Sequence, residues 1–491
     1  MLEPFDMQGR PFPRRNCFQR HDTHLHRGNS DMTETKRIES DAMGSVEIPA
    51  TSYWGAQTQR AVDNFRISSH TMPGEFKIAM GIIKISAARA NRALGLLDAD
   101  REDVLIRAGE EILAGALDGN FPVDVFQTGS GTSWNMNFNE VMANRANEML
   151  GHPLGRRRPV HPNDHVNMGQ SSNDVIPTAI NIANRMMVDD LLAALTGLRA
   201  AIDDKAEEFR DVVKLGRTHL QDAVPMTVGQ EFSGWSVQIE KAIRRIETTC
   251  PALEELALGG TALGTGINTH PEFSELAIGF IAERTGIPFR KADNFFEAIA
   301  NRDAQVELMG ALNSAAVSLM KIAQDLRLLS SGPRGALGEI TLPALQPGSS
   351  IMPGKVNPVI PETVIQVCAF VMGKVHAVTI AGQNAPLQLN MMQPLIAHET
   401  IESLRVLTRA VESLDRLCMS GIAVDIGRCA SWIEGSLALV TPLAKKIGYD
   451  RAAQIAYRAF SEKRTVRDIL REDGEVPEAE IEEILNPRNM L

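Results

Sequence analysis

Apolar side chains recur in alternating four- and three-residue steps from Leu308 through Leu312, Ala315, Leu319, Ile322 and Leu326 to Leu329. A stripe this long predicts a helix with one face buried against other helices. The run Ser330-Ser331-Gly332-Pro333 marks its end. A second stripe, Ile180, Ala183, Met187, Leu191, Leu195, Leu198 and Ile202, predicts a helix over 175–213. Similar spacing predicts helices over about 75–96, 102–118, 135–149, 227–250, 362–381 and 395–420, with shorter, more charged helices after Gly427. The expected fold is mainly α, built on a central bundle of long helices, in a chain long enough for two or three domains. The N-terminal domain covers 36–167, the bundle 168–426 and a small C-terminal helical domain 427–491. Residues 1–35 are expected to be a disordered extension. Its first 31 residues lack periodicity, and their acidic residues argue against a transit peptide. Deleting them is expected to leave activity intact.

Composition narrows the class. With 491 residues, 44% hydrophobic and 23% charged, the chain can bury a large core, and no uninterrupted apolar run approaches the roughly 20 residues of a membrane helix. The net charge of -11 argues against nucleic-acid binding, so an anionic ligand has to be drawn in by local cations. Cys17, Cys250, Cys368, Cys418 and Cys429 are odd in number and far apart, without metal-ligand spacing. Reduced thiols, a cytoplasmic or organelle-matrix setting (of which the cytoplasm is the expectation) and no zinc site are expected.

Four polar blocks interrupt the helical patterns. The loop Gly348-Ser-Ser-Ile-Met-Pro-Gly-Lys-Val-Asn-Pro358, with Glu362 beyond it, gathers hydroxyls (Ser349, Ser350), a cation (Lys355) and an amide (Asn357) suited to a carboxylate. It lacks the glycine spacing and the Ser or Thr after the lysine that a phosphate loop requires. In Gln127-Thr-Gly-Ser-Gly-Thr-Ser-Trp-Asn-Met-Asn137, small residues let the backbone approach a ligand, and Ser130 and Thr132 offer hydroxyls or a helix cap. Arg158-Pro-Val-His-Pro-Asn-Asp-His165 runs toward Ser171-Ser172-Asn173-Asp174, where a cap and an anion site can coincide. Thr218 and His219 lie where Gly216–Pro225 breaks the helical pattern. The glycines of 259–266 lack dinucleotide spacing and suit close helix packing.

The loop Gly348–Asn357 resembles, almost letter for letter, the G-S-S-x-M-P-x-K-x-N signature of the fumarase/aspartase superfamily, and the resemblance extends over roughly 37–491. It implies an anti addition–elimination on a four-carbon dicarboxylate, without a cofactor or metal. It also implies a homotetramer whose central helices form one core and whose active sites are shared between subunits. By the same resemblance Ser349 is the base, His219 the proton donor to the leaving group and Glu362 its orienting carboxylate. Ser130, Thr132, Ser171, Ser172, Asn173, Thr218, Lys355 and Asn357 bind substrate. Arg158, His161, Asn163 and Asp164 form a second dicarboxylate site. Within the superfamily, Trp54-Gly-Ala-Gln-Thr-Gln-Arg60, His161 and Met352-Pro-Gly-Lys-Val-Asn-Pro358 favour the fumarase branch, which hydrates fumarate to L-malate. Val359-Ile-Pro361 and the run AGQNAPLQLN look more like aspartase, so deamination of L-aspartate is the alternative. A catalytically silent, crystallin-like relative is the third reading. Two departures from the family pattern stand out. Trp134 is expected to narrow the pocket or repack a subunit contact, and Met168 to leave the local charge less positive.

Overall fold

The computed structural model describes residues 35–491. All but the last residue of the expected extension over 1–35, Cys17 included, lies outside the described residues. A hairpin of β1 (Lys36–Asp41) and β2 (Gly44–Pro49) leads into α1 (Ala56–Asn64), α2 (Gly74–Ala93), α3 (Ala99–Leu113) and α4 (Thr132–Met149). The longest helix, α5 (Ser172–Glu208), follows. An antiparallel hairpin of β3 (Val213–Thr218) and β4 (Gln221–Thr227) turns the chain into α6 (Val228–Glu247). Next come α7 (Cys250–Leu253), α8 (Phe273–Thr285) and α9 (Phe295–Ala300), and then the long helices α10 (Asp303–Leu329), α11 (Val359–Gly382) and α12 (Gln393–Leu417). Short helices from α13 (Ile426–Gly435) to α17 (Glu478–Ile484) complete the chain.

The two stripes do what their spacing predicts. Leu308, Leu312, Ala315, Leu319, Ile322, Leu326 and Leu329 are all buried in α10, and the stripe of α5 is buried from Ile180 to Ile202. Each such leucine or isoleucine contributes about 2 kcal/mol on burial, against about 1 kcal/mol for a good cap. Packing therefore sets the helices, and local signals set their ends. α5 begins in a capping box, with the Ser171 hydroxyl and the Asp174 carboxylate bonding each other's backbone, and stops at Glu208, short of the expected 213. The difference is β3, whose Val213–Thr218 pairs with β4 instead of extending the helix.

The directions of the bundle helices follow from their end contacts. Gln305, at the start of α10, donates to Asn181 near the start of α5 (2.7 Å). Lys205, near the end of α5, donates to the carbonyl of Ile422, just past α12 (3.0 Å). Thus α5, α10 and α12 run one way, while α6 and α11 return antiparallel. The bundle and the N-terminal helices share one hydrophobic core; the helices after α12 have a second, which includes Leu215 of β3.

One helix has more apolar surface than its own chain covers. Of the 24 residues of α11, only Pro361, Val364, Cys368, Val371, Val378 and Ala381 are buried, and Phe370 and Ile380 face outward. By length and composition alone α10 and α11 are apolar enough to cross a membrane, but both pack into the hydrophobic core of the bundle.

Candidate active site

Two helix N-termini meet at one end of the bundle. Thr132 opens α4 and Ser172 opens α5, and their hydroxyls are 2.8 Å apart; Ser130 lies 2.8 Å from Thr132 on the other side. The loop reaches this position because of its glycines. Gly131 is the N-cap of α4 with φ 73, and a Cβ on Gly129 would sit 1.9 Å from the carbonyl of Met391. Neither Ser130 nor Thr132 caps α4. Ser171 caps α5, its hydroxyl accepting from the Asn173 N–H, and the Asn173 amide donates to the carbonyl of Ala262 (2.7 Å). Three linked hydroxyls between two converging helix dipoles form a cradle for an anion.

Two residues that the sequence reading passed over hold this cradle in place. Asp174 is fully buried and accepts from the backbone N–H groups of Ser171, Gly259 and Thr261, tying the start of α5 to the glycine turn. Burial pushes its carboxyl up to about 6, with those N–H groups pulling the other way. Lys84, buried in α2, donates to the side-chain oxygens of Asn135, Asn167 and Gln170 at 2.9, 3.0 and 2.9 Å. Burial pushes its ammonium down to about 7, opposed by the charge of Asp174. A lysine inside the apolar run Ile82-Ile83-Lys84-Ile85 was the available signal, as was an Asp three residues after a capping Ser. Lys84 bonds Asn167, the neighbour of Met168, and the Met168 carbonyl accepts from Asn91. Trp134 does neither of the things expected of it. It is fully buried against Phe76 and donates to the carbonyl of Val123, so it belongs to its own chain's core.

The remaining residues sit at the opposite end. About 55 Å of α5 separates Ser172 from the chain's next turn, and the β3–β4 hairpin beyond is anchored on the C-terminal core by Leu215. Thr218 and His219 are exposed at its tip, where His219 (φ 54) and Leu220 (φ 59) both adopt the left-handed conformation. Two non-glycine residues held this way cost about 1–2 kcal/mol each. Such strain commonly accompanies function.

The loop carrying Ser349 is also remote from the cradle. It precedes α11, whose far end returns to the cradle: past α11, Gln393 donates to the Gly129 carbonyl (3.0 Å). The 24 residues of α11 span about 36 Å. Within the loop, the Ser349 hydroxyl accepts backbone N–H groups from Ile351 (3.2 Å) and Met352 (3.0 Å). Asn357 donates one amide hydrogen to the carbonyl of Gly348 (2.7 Å). Lys355 is exposed and has no carboxylate within 4.0 Å among the described residues. Lys355, Asn357 and Glu362 line a cavity of about 780 Å³ with Arg327 and Ser330.

The second proposed cluster is local. His161 precedes a short helical turn, Pro162–Val166, and its Nδ1 accepts from the backbone N–H groups of Asn163 and Asp164, both at 3.2 Å. Burial holds its pKa below the ordinary histidine value, and the nearby Asp164 carboxylate opposes that. Arg158 is exposed beside it. Among the described residues, no three His, Cys, Asp or Glu side chains gather as a metal site. One chain therefore brings Ser130, Thr132, Ser171, Ser172 and Asn173 together, and keeps Thr218, His219, Ser349, Lys355, Asn357 and Glu362 at its other end.

The chain is similar to known proteins in sequence and in fold. A family profile described as Lyase matches residues 44–373, and one described as Fumarase C C-terminus matches 439–491. The class II fumarate hydratase of Halobacterium salinarum is 52% identical over 460 residues, covering 94% of this chain and 98% of that protein. The crystal structure of the class II fumarase from Schistosoma mansoni matches with a TM-score of 0.89 at 38% identity, over 93% of this chain and 99% of that one. A fumarate lyase:delta crystallin from Brucella melitensis, solved with cobalt bound, also gives 0.89, at 44% identity and the same coverage. The chain belongs to the fumarase/aspartase family of lyases. Within that family it stands with the class II fumarate hydratases, which are hydro-lyases.

Proposed function

We propose that the chain catalyses the reversible anti hydration of fumarate to L-malate, in active sites assembled from more than one copy of itself. The observation that carries this reading is the division of the polar blocks between opposite ends of the bundle. The cradle of one chain needs a base and a proton donor, and the free loop and hairpin of other chains carry them. A homotetramer with a shared helical core would bring these ends together and bury the outward apolar face of α11, whose Phe370 and Ile380 are 42% and 51% exposed in one chain.

In the direction from malate, Ser349 as an alkoxide removes the proton beside one carboxylate. The electron pair passes into that carboxylate, giving a doubly negative aci form. When it collapses, the carbon–oxygen bond on the neighbouring carbon breaks and His219 protonates the departing hydroxyl, which leaves as water. A serine hydroxyl is ordinarily far too weak a base. Two backbone N–H groups already point at Ser349 Oγ and stabilise negative charge there. Lys355 and the remaining amide hydrogen of Asn357 face the charge that develops on the aci-carboxylate, and Ser130, Thr132, Ser171, Ser172, Asn173 and Thr218 hold the dicarboxylate. Glu362 orients His219 across the subunit boundary. Arg158, His161, Asn163 and Asp164 hold a second dicarboxylate beside the cradle end. No cofactor or metal enters these steps. Burial pushes the thiols of Cys368, Cys418 and Cys429 up to about 12, which keeps them protonated; that these thiols are unpaired fits the reducing, cytoplasmic location proposed here.

Following fumarate absorbance with L-malate and with L-aspartate as alternative substrates tests the reaction. Fumarate is expected from malate alone; formation from aspartate at a comparable rate would overturn the reading.

A further inference from the structure

A second polar cavity lies beside α5, about two helical turns past the cradle, with a volume of about 260 Å³. It is walled by the first residues of α10, by α9 and by Asn181 of α5. Arg302, the N-cap residue of α10, is 4% exposed, and no carboxylate lies within 4.0 Å of its guanidinium among the described residues. It donates to the carbonyl of Ala298, and its Nε has no partner. Beside it Gln305 is fully buried; its amide nitrogen donates to Asn181, and its Oε1 is also unpartnered. Arg302 adds a buried cation to the positive N-terminus of a 27-residue helix, and its side chain bonds none of the first-turn N–H groups; the exposed Asp303 carboxylate accepts the one from Ala304 (2.9 Å). Burial holds the guanidinium at about 10, opposed by the charges of Glu297 and Asp303. Both features call for an anion.

The rim restricts which anion. Glu297 and Asp303 are exposed there, while Glu255 is neutralised by Arg290. A compound with only negative charge meets two carboxylates on its way in. A zwitterion meets them too, but its ammonium offsets their repulsion and would satisfy Gln305 Oε1.

We propose that this cavity is a binding site, separate from the dicarboxylate site, for a small uncharged-side-chain α-amino acid. Its carboxylate sits on Arg302 and the α10 N-terminus, and its ammonium on Gln305 and the Glu297–Asp303 rim. Arginine presents a planar fork that fits a carboxylate in two bonds, and the volume admits a ligand of this size with some water.

Titrating L-alanine into the full-length protein by calorimetry, with thermal denaturation in parallel, tests this. L-lactate serves as the control of matching shape that has a hydroxyl in place of the ammonium. Saturable binding and a raised Tm are expected with alanine, with lactate roughly tenfold weaker or worse. Arg302→Met and Gln305→Leu are each expected to weaken alanine binding by roughly tenfold or more while malate turnover remains, which reports an intact fold. No saturable alanine binding to the unmodified protein would overturn the proposal and leave a cavity that holds only water. Lactate binding equal to alanine, or alanine binding that survives Gln305→Leu, would overturn it equally. Because the unmodified protein is measured directly, a variant that fails to fold does not remove the test.

Discussion

The two ends of the bundle carry similar polar chemistry in opposite physical states. At the cradle end, hydroxyls are linked to one another, two helix N-termini converge, and behind them buried Asp174 ties the backbone while buried Lys84 ties the side chains of Asn135, Asn167 and Gln170. At the other end, His219 stands on a strained hairpin tip, and Lys355 projects from an exposed loop with no ion-pair partner among the described residues. On the proposed reading, the fold of one chain completes the polar cradle at the first end and presents the proposed base and proton donor at the second. Binding and chemistry should therefore respond differently to substitutions at the two ends.

The largest effect is expected from Ser349→Ala. Turnover should fall by roughly 10²–10⁴-fold or more while dicarboxylate binding, measured by calorimetry, stays close to the original. Near-full activity would remove Ser349 as the base. Next is His219→Asn. Asparagine tolerates the left-handed conformation better than histidine, so the Tm should hold or rise while kcat drops by roughly 10²–10⁴-fold. A fall in both would mark the residue as structural.

Thr132→Val breaks the hydroxyl chain at the cradle and should act mainly on KM, raising it roughly tenfold with little change in kcat. An equal loss in kcat would mean the cradle takes part in the chemical step. The smallest effect concerns His161. Its folded pKa lies below the ordinary 6.5 because burial disfavours the charged ring. The neutral ring thus contributes stability above pH 6.5, which is lost as pH falls through the lowered folded value. NMR titration should give a midpoint below 6.5, and His161→Gln should flatten the acid-side loss of Tm. A midpoint above 6.5 would reverse the sign.

How much of this was legible in the sequence differed between packing and placement. The Leu308–Leu329 stripe named a helix because burial repeats with the helical period, and Ser171–Asp174 named a helix start because capping is local. The β3–β4 hairpin was not legible, since His219-Leu220 lacks the Asn-Gly or Asp-Gly that usually marks such a turn. Lys84 and Arg302 were missed because a lone cation in an apolar or loop segment reads as solvent-facing until its surroundings are known. Trp134 was misjudged because neighbours in sequence point in different directions: Thr132 faces the cradle and Trp134 the core. The separation of Thr132 and Ser172 from Ser349 and His219 comes from the lengths and directions of α5 and α11, which motif matching leaves out.

Mixing two inactive chains tests the shared site most directly. Asn173→Asp places a carboxylate in the cradle, and Ser349→Ala removes the base at the other end. Refolded together, the two should regain about a quarter of the original activity, because some hybrid sites draw an intact cradle from one chain and an intact loop from another. Activity no greater than that of the separate variants would contradict the account, since it would place every catalytic group of a site on a single chain.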